Sequence, residues 1–183
     1  MKAGGVFVVS RSGAAVRKKP PDRAVDDAVN LLVALVRNDD EIFARDYGFR
    51  ADLMGLVLPL LMIGKVMALY IAHVDPDWTA ESLLEEYTRA LAAQEPVPDR
   101  IVDDASRDAA ALALAWYRGD QAAFEQLLEP YRHRGELLAS AVANVVIQIV
   151  RAIDPNPDQQ EPMIRIAGDT VRAQIKRTLE DKP

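Results

Sequence analysis

Two pairs of adjacent aspartates are the groups best suited to chemistry in this chain. Asp26–Asp27 and Asp103–Asp104 sit in near-copies of one octapeptide, "PDRAVDDA" at 21–28 and "PDRIVDDA" at 98–105. Carboxylates are the ligands that Mg²⁺ or Mn²⁺ takes when it positions a phosphate compound. If the two segments faced each other, four acids could bracket one ion. Glu81 and Glu85, one helical turn apart, and Asp108, one turn beyond Asp104, are further carboxylates for the same ion. This defines one expectation: an all-α, Mg- or Mn-dependent enzyme acting on a phosphate compound. The same residues have a plainer use. Acids in the first turn of a helix meet the positive end of its dipole and keep the surface soluble. The plainer use is the stronger reading, because the acids follow no discriminating metal-binding spacing.

Other chemistry finds less support. With no cysteine, thiolate metal sites, disulfides and a Cys nucleophile are excluded. His73 and His133 are the two histidines, and neither belongs to a Glu-x-x-His or His-Glu-x-x-His pattern. No serine has a Gly-x-Ser-x-Gly setting. The glycines form neither a phosphate loop nor a dinucleotide fingerprint, so no cofactor is called for and no catalytic residue is assigned.

The elements that would position these residues come in two sets. Besides the octapeptides, "RNDDEIF" at 37–43 recurs as "RGDQAAF" at 118–124, and "AHVDP" at 72–76 as "RAIDP" at 151–155. Three landmarks in the same order imply an internal duplication of about 80 residues. Asp22 and Asp99 are candidate caps for helices ending at Arg37 and Arg118, where positive charge is favoured. Asn38 and Gly119 tolerate the left-handed conformation that ends many helices. Asp39 and Asp120 can then cap short helices, about 40–48 and 121–132, anchored by Phe43 and Phe124. Third helices are expected over about 52–74 and 136–153, and fourth helices over about 79–93 and 162–180. "DPNPDQQEP" is expected to be a loop, since Pro disfavours helix in the residue before it. The expected fold is all-α, a helical bundle of two pseudo-repeats of about four helices each. Residues 1–21 form a flexible basic arm, 22–95 the first repeat and 98–181 the second, packed as one globular unit.

The segment 53–74, "LMGLVLPLLMIGKVMALYIAHV", is long and apolar enough to cross a membrane. Lys65 would then lie near the bilayer centre, at considerable cost. Its sister segment, 137–153, carries Asn144, Gln148 and Arg151, so a buried central helix is expected, kinked or broken at Pro59. Lys65, Leu69 and His73 share one face, and the corresponding face of the sister helix is also partly polar. That face is expected to meet solvent, a groove or a partner, with Leu69, Tyr70 and Trp78 as anchors. Core packing is the competing use for Leu69 and Tyr70.

Charge is unevenly placed. Residues 1–21 carry five cations and no acid; the whole chain is −6, so the remainder is −11. An acidic body argues against duplex nucleic acid as the partner of its folded face. A nucleic-acid role would fall to Arg17, Lys18 and Lys19 of the arm. The reading that survives elimination is a cytoplasmic, non-enzymatic protein-protein interaction or adaptor module, binding another protein or itself.

Overall fold

The computed structural model describes residues 21–37, 54–74, 77–93 and 100–180. Among these the protein is all-helical and has no strands. The α-helices are α1 (Pro21–Val36), α2 (Met54–Val74), α3 (Ala80–Ala93), α4 (Arg100–Arg118), α5 (Gln121–Leu128), α6 (Gly135–Ile153) and α7 (Pro157–Glu180). A single 3₁₀ turn, Glu129–Tyr131, follows α5.

The two most apolar helices, α2 and α6, form the central pair, and they run in the same direction. Their first residues touch: a Cβ added to Gly135 would lie 2.8 Å from both the backbone nitrogen and Cβ of Met54. Ten residues along α2, Gly64 lets α6 approach so closely that a Cβ there would meet Val146 Cγ2 at 3.1 Å. Antiparallel pairs flank this centre. α1 and α7 are tied by Arg172 to Asp26 and by Arg37 to Glu161, with Gly168 packed on Val29 between these ties. α3 and α4 are tied by Arg118 to Glu81 and Glu85, and by Arg107 to the Leu91 carbonyl. α5 packs on α4. The inward faces supply Leu31, Leu32, Leu60, Ile63, Leu112, Leu138, Val142 and Ile164, all essentially inaccessible to water. Each such side chain contributes roughly 1.5–3 kcal/mol by leaving water.

Local rules explain several helix ends. Gly119 has φ +72°, and the Asp120 carboxylate accepts from the Ala123 N–H at 3.1 Å, so the turn between α4 and α5 follows its residue types. The turn expected at Asn38 and Asp39, like Phe43 and the helix expected over 40–48, lies outside the described residues. Asp22 falls inside α1 rather than capping it, because Pro21 takes the first helical position, where its missing N–H costs nothing. α7 starts at Pro157 for the same reason, with Asn156 Oδ1 accepting from the Asp158 N–H at 3.1 Å. The helix then continues through Pro162, a segment expected to be loop. Pro59 likewise leaves α2 unbroken. Each proline stands five residues after its helix begins, and removes one backbone hydrogen bond near the end.

Candidate functional site

Four of the candidate acids, Asp26, Glu81, Glu85 and Asp108, are held by partners of their own. Asp26 is exposed and pairs with Arg172, which also holds Asp169. Asp27 is half-buried and Asp104 exposed, while the Asp103 side chain lies outside the described set. Glu81 and Glu85 both receive the Arg118 guanidinium, the former at 2.6 Å. Asp108 accepts from the Tyr131 hydroxyl at 2.7 Å. Burial first, then this bond and the charge of Asp108, push the Tyr131 hydroxyl well above the usual phenol range. Among the described residues, no group of three or more His, Cys, Asp or Glu is arranged to hold a metal ion. His73 and His133 are both exposed.

The partner-binding candidates on α2 group more tightly. Leu69 and Tyr70 are 50% and 51% exposed, so both point outward rather than into the core. Leu58, one further large apolar residue of α2, is 39% exposed. Met62 and Val66 are half-buried between them, and His73 follows one turn after Leu69. Trp78 is half-buried and packs against the core. Lys65 lies at the edge of this strip, with its Nζ over the rings of Trp116 and Tyr117 of α4. Leu58, Met62, Trp116 and Tyr117 were not legible as neighbours of Lys65 and Leu69. The available signal was the spacing of Leu58, Met62, Lys65 and Leu69, which puts them on one helical line.

Beneath Lys65 is a void of about 20 Å³, lined mainly by Leu61, Ala68, Ala113, Val142 and Ile149. It has room for about one water, whereas a ligand pocket holds about 300–1,000 Å³. A polar hollow of about 490 Å³ lies between the end of α1 and the start of α7, where Glu161 is already held by Arg37 and Arg165. Arg17, Lys18 and Lys19 lie outside the described residues. By length and composition, Met54–His73 and Gly135–Ile153 could each cross a membrane; in the bundle, half or slightly more of each stretch is buried. No protein-family model, curated protein or solved structure matches the chain.

Proposed function

We propose that this chain is a non-enzymatic, cytoplasmic helical module that acts by binding protein, and that its bundle is a duplicated unit. The exposed apolar strip of α2 carries the binding reading. Large apolar side chains set in a row on a surface helix are the usual substance of a protein contact. Here Leu58, Met62 and Leu69 stand in such a row with the stem of Lys65, and exposed Tyr70 lies beside it.

Three relationships support the duplication. Arg37 and Arg118 end corresponding helices and each reaches into the other half, to Glu161 and to Glu81 with Glu85. The flanking pairs α1/α7 and α3/α4 are both antiparallel. Met54 and Gly135, each the first residue of its helix, touch each other, as corresponding helix starts do beside a twofold axis.

A photo-crosslinking residue at position 69 tests the binding reading in the chain's own cells. A discrete protein adduct at 69, missing when the probe is at Gln148 of α6, is the expected result. Absence of any adduct sinks it. So does metal-dependent phosphate release from a nucleotide that is lost in Asp26→Asn/Asp27→Asn.

A further inference from the structure

The outer line of α2 keeps a seven-residue rhythm. Gly55, Leu58, Met62, Lys65, Leu69 and Ala72 follow alternating steps of three and four, and all are exposed or half-exposed. This is the a/d seam of a coiled coil, narrower than the stripe by which a helix sits in a globular core. The opposite side of α2 already packs on α6, so the seam is additional to the core. Nor does the fold require it, since α6 presents Asn144, Gln148 and Arg151 outward instead.

The seam also reads alike in both directions. About its midpoint between Ile63 and Gly64, Gly55 mirrors Ala72, Leu58 mirrors Leu69, and Met62 mirrors Lys65. Small residues correspond to small, branched to branched, and long unbranched to long unbranched. A twofold contact sets one surface against itself and therefore demands this self-complementarity. In an antiparallel helix pair, Leu58 would meet Leu69 of the second copy, Gly55 would meet Ala72, and Met62 the stem of Lys65. The Lys65 ammonium is already drawn aside, 5.1 Å from the Trp116 ring centroid and 5.3 Å from that of Tyr117. Its methylenes are left to fill the seam while the charge stays at the rim. A parallel pair would instead set Lys65 level with its own copy.

We propose that two copies of this chain pair through α2, antiparallel and centred between Ile63 and Gly64. The proposal rests on the protein-binding reading and names its partner. A 21-residue helix is about 31 Å long. A seam about 10 Å wide on both copies buries roughly 600 Å², half the ~1,200 Å² at the low end of stable interfaces. Trp116 and Tyr117, half-exposed beside Lys65, widen it. The dimer is thus weak and concentration-dependent.

Sedimentation velocity on the full chain should show mass rising from one copy toward two between micromolar and near-millimolar concentration. Leu58→Glu/Leu69→Glu should remain monomeric throughout. Leu58→Glu/Leu69→Lys should dimerise again, because each Glu then faces a Lys across the twofold. Because the native chain lacks cysteine, introduced cysteines report contact without background. Oxidised Leu58→Cys/Leu69→Cys should become a covalent dimer. Leu58→Cys alone should not, its two copies lying about 17 Å apart along the pair. A wild-type chain that is monomeric at every concentration overturns the pairing, as does a dimer indifferent to these charge changes. If that monomer still gives an adduct to another protein at position 69, the binding reading stands and only self-pairing falls.

Discussion

Lys65 Nζ lies 5.1 Å from the centroid of the Trp116 ring, joining the edge of α2 to α4 through a cation–π contact. Such a contact at a partly exposed site is worth roughly 0.5–1 kcal/mol. Lys65→Met keeps the stem and removes the charge, so it should cost no more than about 1 kcal/mol in urea unfolding. Trp116→Ala also removes half-buried apolar area and should cost about 2 kcal/mol. A double-mutant cycle isolates the coupling; a coupling near zero would show that the ammonium adds nothing beyond its stem.

Close approach at two glycines makes a second, ordered prediction. An added methyl at Gly135 would strike the Met54 backbone, which cannot swing away, whereas one at Gly168 strikes a side-chain methyl of Val29. Gly135→Ala should therefore destabilise more than Gly168→Ala, with overpacking costs of about 1–3 kcal/mol. Val29→Ala should relieve part of the Gly168→Ala defect. Chemical denaturation of the four variants settles the order.

The ion pairs at the helix ends are exposed, so Arg37→Ala and Arg118→Ala should each change the urea midpoint only slightly, and less still in high salt. Their pH dependence has a definite sign. Arg165 first, and then Arg37, hold the Glu161 carboxyl below the usual carboxylate range. A depressed carboxylate lends its stability above the unfolded value of about 4.3, and loses it as pH falls through the lower folded value. Urea midpoints of the wild type and Glu161→Gln should therefore differ at neutral pH and converge in acid.

Tyr131 has the opposite sense. Burial and Asp108 favour its neutral form, so its contribution is complete below the ordinary phenol value of about 10 and is lost as pH rises through the folded value. In an ultraviolet titration, the folded wild type and Tyr131→Phe should show the same absorbance rise up to about pH 11. A larger rise in the wild type would mean that Tyr131 ionises like an exposed phenol.

Much of the fold was legible because helix ends are local. Gly119, Asp120 and Phe124 lie within six residues and specify a turn among themselves. The start of α7 was misplaced because Pro157 and Pro162 read as loop, although a proline at the first helical position is favourable. The site was less legible, because its determinants are distant in sequence. Asp26 is recognisable as an acid near a helix start, but its partner Arg172 is 146 positions away. Leu69 and Tyr70 were marked by a polar line through Lys65 and His73. Leu58 and Met62 were not, since a helix apolar on every side gives no local sign of which side is wet.

The parallel run of α2 and α6 bears on how the chain first becomes folded. Helices that run the same way cannot be joined by a tight hairpin, and about sixty residues separate the end of one from the start of the other. Closing that span costs roughly 3–4 kcal/mol of chain entropy before the central contact forms. During synthesis, α2 therefore leaves the ribosome with its inner side at Gly64 uncovered until α6 follows, while its outer line at Leu69 stays exposed throughout. Growing chains that end before Gly135 are the species most exposed to aggregation and most dependent on chaperones.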